Sequence, residues 1–110
     1  MRVAVDVLGT IEGPKRAQVL QMIHALQDLG HTVTVWSSEF SLAVDAVDKY
    51  NLDCEAISKM MRFDYPEEMH FDYAIEDDHR QGYLAAKNFI WVSDIPESLI
   101  ECEALVKGLK

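Results

Sequence analysis

Several positions carry side chains suited to holding a hard metal ion or a phosphoryl group, and each follows a hydrophobic run. Asp6 interrupts "VAVDVLGT" at positions 3–10, and Thr10 closes the Gly-Thr turn behind it. Ser37 ends "TVTVWSS", Lys59 follows "AIS", and Glu76, Asp77 and Asp78 end "YAIEDD". Carboxylates delivered by two separate strands are what Mg²⁺ requires, while a hydroxyl and an ammonium suit phosphoryl oxygens. Taken singly, each residue has a plain structural role: a strand-end Asp forms turns, a Ser behind a strand caps a helix, and an acidic run is a solvated loop. Their order along the chain makes them a set.

That order depends on the elements that carry them. "RVAVDV" alternates and is β-branched, which predicts a first strand from about Val3 to Val7. Pro14 suits a first helical turn, and Val19, Leu20, Ile23, Leu26 and Leu29 form a helical stripe through "PKRAQVLQMIHALQDLG", closed by Gly30. "HTVTVWSS" reads as a second strand, and "SLAVDAVDKYNL" as a helix with Ala43, Val47 and Tyr50 on one face and Ser41 as N-cap. "CEAIS" is a short third strand, "KMMRFDYPEEMH" is irregular, and "FDYAI" is a fourth strand. "HRQGYLAAKN" predicts a short helix, "FIWVS" a fifth strand, and "IPESLIECEALVKGLK" a closing helix with Pro96 near its start and Leu99, Cys102, Val106 and Leu109 in register.

Strands alternating with helices imply right-handed crossovers and a mostly parallel sheet covered on both faces, a three-layer Rossmann-like α/β sandwich. Ligands in such sheets sit beyond the carboxyl ends of the strands. The positions to inspect are therefore Asp6 to Thr10, Ser37 and Ser38, Ser58 and Lys59, Glu76 to Asp78, and Ser93 and Asp94.

At 110 residues the chain is long enough for one core and too short for two, so a single domain over residues 1–110 is expected. A formal net charge of −9 with only ten scattered Lys and Arg opposes a nucleic-acid partner, and it suits a divalent cation. No apolar run approaches the roughly 20 residues needed to span a bilayer. "MRVAVDV" reaches an acid too early for a signal-peptide core, which predicts a cytoplasmic protein. Cys54 and Cys102 are far apart and read as buried free thiols without a function.

The constellation resembles the haloacid dehalogenase (HAD) superfamily of phosphatases and phosphotransferases across positions 2 to about 93. "VAVDVLGT" is similar to its first motif, a hydrophobic strand followed by DxDGT; "TVTVWSS" resembles the second, "ISKMM" offers the lysine of the third, and "YAIEDDHRQGYLAAKNF" resembles the fourth. The resemblance implies a five-stranded sheet of order 5-4-1-2-3. It implies that Asp6 is a nucleophile attacking phosphorus, that Ser37 and Lys59 hold phosphoryl oxygens, and that Thr10 stabilises the turn. It also implies a Mg²⁺ ion held by Asp6, the Leu8 carbonyl and Asp77, with Glu76 or Asp78 assisting.

One position departs from the family pattern. Where the phosphatase branches carry a second Asp that protonates the leaving oxygen, this chain has Leu8. Leucine still offers its backbone carbonyl to a metal, but the proton relay is lost, at a typical cost of about 10²- to 10⁴-fold in rate. The expected function is a Mg²⁺-dependent hydrolase of reduced or unusual activity; the alternative is a catalytically silent HAD-fold binding or regulatory module. A receiver-like phospho-acceptor domain fits less well, because its acid pair follows the first strand and its acceptor Asp the third.

Few residues separate Thr10 from the first helix, and Asn51 to His70 leaves room for a loop only, so no cap domain is expected. An open site suits a macromolecular phosphate or a partner protein, and "MMRFDYPEEMHFDY" reads either as part of such a surface or as packing beneath a loop. Glu12 reads as solvent-exposed ahead of the helix, and His79 with Arg80 as the opening of a surface helix.

Overall fold

The computed structural model describes residues 1–110. Strands β1 (Arg2–Asp6), β2 (Thr32–Ser37), β3 (Glu55–Ser58), β4 (Phe71–Glu76) and β5 (Ala86–Trp91) are joined by helices α1 (Arg16–Asp28) and α2 (Phe40–Lys49) and by short 3₁₀ turns, and α3 (Leu99–Lys107) closes the chain. All strand pairings are parallel, in the order β3-β2-β1-β4-β5. β1 is therefore central, and the chain reverses direction across it between β3 and β4. The carboxyl ends of β1, β2 and β4 come together at that reversal, with Asp6 in register with Trp36 and Glu76 with Trp91.

The helices end where the sequence supplies left-handed residues. Gly30 adopts φ 86° after α1 and Asn51 adopts φ 51° after α2, both conformations that a β-branched residue resists. α1 buries Val19, Met22, Ile23 and Leu26. Leu29, expected on the same stripe, lies beyond the last helical turn and is exposed, and Met22 fills the face instead. α2 begins two residues earlier than expected, with Glu39 rather than Ser41 at its N-cap. α3 begins at Leu99, capped by Ser98, whose hydroxyl accepts the Glu101 N–H at 3.3 Å; Pro96 stays in the loop.

All three helices lie on one face. Val19, Ala43, Cys102 and Val106 join Val3, Val5, Val33, Val35, Ile75 and Ile90 in one buried cluster. The opposite face holds a smaller cluster of Ala4, Trp36, Phe71, Ala74, Leu84 and Ala86, with no helical residue in it. The second outer layer expected from the sequence is built from turns, so the sandwich has helices on one side only.

The reason is visible in "HRQGYLAAKN". Its Leu-Ala-Ala-Lys portion favours a helix locally, yet β4 needs a parallel neighbour. Phe71 pairs with Ala86, and Leu84 is inserted into the smaller cluster. Only His79–Tyr83 coils, as a 3₁₀ turn whose first free N–H, that of Arg80, is accepted by the Asp78 carboxylate. Tertiary pairing overrides propensity, and β5 starts at Ala86 instead of Phe89.

The stretch after Lys59 forms two 3₁₀ turns, Arg62–Asp64 and Glu67–Met69, whose apolar side chains remain outside: Phe63 is 92% exposed, and Met61, Tyr65 and Met69 are also exposed. The segment divides between the two readings: Met60 packs against the smaller cluster and Phe71 is buried within it, while the turns between them keep their apolar side chains outside. No helix is long and apolar enough to cross a membrane.

Candidate functional site

β1 ends one residue before the expected Val7, because the Val7 carbonyl leaves the ladder to accept the N–H groups of Thr10 (3.1 Å) and Glu12 (2.8 Å). This tight turn holds Asp6 fixed beneath it. Asp6 Oδ2 accepts a hydrogen bond from the Thr10 hydroxyl at 3.1 Å, and Oδ1 lies 3.0 Å from Lys59 Nζ. Gly9 sits at φ 80° with the Asp77 carboxylate packed against its Cα. A Cβ there would come within 2.6 Å of Asp77 Cγ, so glycine is required both by conformation and by contact.

A second carboxylate is brought to Asp6 from the neighbouring strand. Glu76 is completely buried, with the Trp36 indole N–H donating to Oε2 at 2.6 Å and Lys59 Nζ donating to Oε1 at 3.0 Å. Carboxylate oxygens of Asp6, Glu76 and Asp77 all lie within 4.8 Å of one another. Three carboxyl groups thus face one ammonium, two more acids than cations at this centre.

The electrostatics follow from that crowding. Burial pushes the Asp6 carboxyl above its ordinary value, and Lys59 pulls against that rise. Burial, with the Asp6 charge adding to it, lifts Glu76 to about 7 despite the bonds from Lys59 and Trp36. Burial disfavours the Lys59 charge as well, but attraction to Glu76 and Asp6 outweighs it and its pKa is raised. The lysine therefore stays protonated as the counter-charge.

Around this centre lies a cleft of about 250 Å³ lined by Asp6, Leu8, Ser37, Lys59, Asp77 and Gln81, among others. The structure thus brings Asp6, Thr10, Ser37, Lys59, Glu76 and Asp77 to one sheet edge. Ser37 is buried, and its hydroxyl accepts the Glu39 N–H at 3.2 Å while lining the cleft. Leu8 lines the mouth with its side chain 60% exposed, and its carbonyl accepts no hydrogen bond from the chain.

Asp78 does not join the carboxylate cluster. Arg80 holds its carboxylate through several bonds, the shortest 2.7 Å, and keeps its pKa down at about 2. Ser93 and Asp94, expected at the end of the fifth strand, fall in a 3₁₀ turn away from the cleft. Glu12 is not simply solvated: it pairs with Lys49 at 3.0 Å and Arg16 at 3.4 Å and accepts from the Tyr50 hydroxyl, tying the turn to α2. His79 opens only the 3₁₀ turn His79–Tyr83, and its ring stacks on Trp91 with centroids 4.3 Å apart.

Two contributors escaped the sequence. Trp36 reads as core, and only its register with Asp6 across β1 and β2 reveals that its N–H meets Glu76. Gln81, in the segment expected to be helical, accepts from Lys59 Nζ at 3.0 Å. No sequence signal marks it, since its place depends on how the turn after β4 folds back.

Comparisons with family models, curated proteins and solved structures find no match to this chain.

Proposed function

We propose that the chain is a HAD-like phosphoryl-handling protein that binds Mg²⁺ at the Asp6–Asp77 edge and uses Asp6 as nucleophile, with slow turnover. The observation that carries this reading is the trio of carboxylates within 4.8 Å of one another beside the buried Lys59 ammonium, at the switch point of a parallel sheet. The strand order, read from β5 inward as 5-4-1-2-3, and the placement of the four motif positions at adjacent strand ends support it.

The donor set fits Mg²⁺. It is all oxygen, it holds two more carboxyl groups than cations, and the Leu8 carbonyl has no donor within the chain. Asp6 and Asp77 would hold the ion, with the Leu8 carbonyl as the third protein ligand. Glu76, completely buried and set back from the cleft that Asp6 and Asp77 line, serves chiefly to hold Lys59. When bound, the ion supplies charge neutralisation between an anionic nucleophile and an anionic phosphate.

The chain's own residues then do the following. Thr10 and Lys59 fix the Asp6 carboxylate, one oxygen each, so that it is held in place ahead of attack. Asp6 attacks phosphorus and the ester oxygen departs, giving an aspartyl-phosphate that water hydrolyses. The Ser37 hydroxyl and the Lys59 ammonium face the phosphoryl oxygens from the cleft wall. Nothing at Leu8 protonates the departing oxygen, and the turnover is slow for that reason. The exposed leucine at the mouth of the site also favours a second reading, a catalytically silent module that keeps the metal and phosphate pocket.

The test is a Mg²⁺ titration followed by NMR, run beside a phosphatase screen on wild type, Asp6→Asn, Asp77→Asn and Leu8→Asp. Mg²⁺ binding lost in Asp77→Asn supports the site, and absence of any Mg²⁺ binding overturns it. Slow wild-type hydrolysis lost in Asp6→Asn and raised about 10²-fold or more in Leu8→Asp supports the enzyme. Hydrolysis only in Leu8→Asp supports the silent module.

A further inference from the structure

An ammonium has three N–H donors, and three acceptors crowd that of Lys59. Its Nζ lies 3.0 Å from each of three acceptors: Asp6 Oδ1, Glu76 Oε1 and Gln81 Oε1. The Lys59 side chain is 8% exposed, so water does not surround it. With hydrogen bonds to Glu76 and Gln81 and an ion pair to Asp6, the lysine that the pocket would use to grip a phosphoryl oxygen is already surrounded by acceptors.

The three bonds are unequal. Those to Asp6 and Glu76 join opposite charges, both partners are buried, and both are anchored at the ends of neighbouring central strands. The bond to Gln81 goes to a neutral amide, on a half-buried side chain of the 3₁₀ turn His79–Tyr83, at the cleft wall. The bond to the amide is ion–dipole, whereas an ammonium and an oxyanion attract as two full charges, so an arriving oxyanion displaces the amide and leaves the carboxylates in place.

We propose that Gln81 is a positioning residue that gates the site: its amide oxygen occupies the third donor of Lys59, and only a ligand bearing a phosphoryl-type oxyanion takes that place. This rests on the phosphoryl-binding reading above and adds a selection rule to it. A neutral ligand with a carbonyl or hydroxyl gains nothing by replacing one neutral acceptor with another, whereas a phosphate dianion gains the attraction of two full charges.

The probe is inorganic phosphate in the presence of saturating Mg²⁺, titrated by calorimetry into wild type, Gln81→Leu and Gln81→Glu, with the fold of each checked by circular dichroism. Leucine keeps the volume and removes the competing acceptor, so phosphate should bind about 10- to 100-fold tighter, the range set by the net strength of one hydrogen bond to a charged group. Glutamate makes the competing bond ionic and adds a like charge, so phosphate should bind about tenfold weaker or worse. Opposite shifts from two substitutions at one position are a result that a merely structural glutamine does not give.

In the unaltered protein the Gln81 side-chain amide signals should shift with the same midpoint as the calorimetric titration, which tests the gate even if a variant fails to fold. Phosphate binding in wild type with equal or weaker binding in Gln81→Leu, or an unmoved Gln81 amide, overturns the gate and leaves the phosphoryl pocket standing. Binding in Gln81→Leu alone supports a gate that is closed in the wild type. Absence of phosphate binding in all three proteins overturns the pocket reading and the gate with it.

Discussion

Replacing Lys59 with methionine removes the one cation that the buried carboxylates share. Lys59 Nζ is 3.0 Å from both Asp6 and Glu76, and at an effective dielectric of about 20 each such pair attracts by roughly 5 to 6 kcal/mol before desolvation is counted. Desolvation offsets much of that attraction in the intact site. Once the ammonium is gone the offset remains and the attraction does not, and breaking a buried pair in this way costs about 3–5 kcal/mol. Against a whole-domain stability of about 5–15 kcal/mol this is a large fraction.

The loss depends on pH, with a definite sign. Burial already raises Glu76 from 4.5 to about 7 and Asp6 above its ordinary value, with Lys59 holding both down. Without Lys59 both rise further. A carboxyl raised in the folded state contributes stability that is fully present below its unfolded value, near 4.5, and lost as pH climbs through the folded value. At pH 5, therefore, Lys59→Met leaves Glu76 neutral and should cost no more than about 1.5 kcal/mol, the price of a roughly volume-conserving swap. At pH 9 the full cost of about 3–5 kcal/mol should appear.

Urea denaturation followed by tryptophan fluorescence at pH 5, 7 and 9, in EDTA so that no divalent ion replaces the ammonium, measures the difference. The double variant Lys59→Met, Glu76→Gln should regain part of the loss at pH 9 and little at pH 5. A loss equal at pH 5 and pH 9, or one below about 1 kcal/mol at pH 9, would refute the electrostatic account.

Other consequences are quicker to check. Gly9→Ala forces a Cβ into a φ of 80° and into the Asp77 carboxylate; it should cost about 1–2 kcal/mol from conformation alone and weaken Mg²⁺ binding in the same titration used above, whereas unchanged Mg²⁺ binding would show that Asp77 does not depend on the turn. Burial pushes Cys54 to about 11 and Cys102 up as well, so at pH 8 only about one Cys54 thiol in a thousand is a thiolate. A disulfide reagent should react slowly with the native protein and with two thiols promptly in urea; fast native labelling would contradict the burial. Ser98→Ala removes the cap of α3 and should lower stability by about 0.5–2 kcal/mol in urea, and no change would mean that the 3.3 Å bond to the Glu101 N–H carries no capping energy.

The sequence alone determined which local elements could form where one signal dominated. Alternating β-branched residues mark β1 and β2, the apolar stripe ended by Gly30 marks α1, and the strand-helix rhythm fixes a parallel sheet whose strand ends carry Asp6, Ser37, Lys59 and Glu76. It could name these residues because parallel sheets put their ligands at carboxyl ends, a rule that needs only chain order. It could not rank them, because rank is set by distance and burial.

Tertiary structure alone buried Glu76 against Trp36 and Lys59, left Asp78 to Arg80 outside the cluster, and turned a helix-favouring segment into the edge strand beside β4. It also put Gln81 on the third donor of Lys59. Each of these outcomes is a competition between partners far apart in the chain, and such competitions are settled by three-dimensional proximity and desolvation, which no local pattern of residue types encodes.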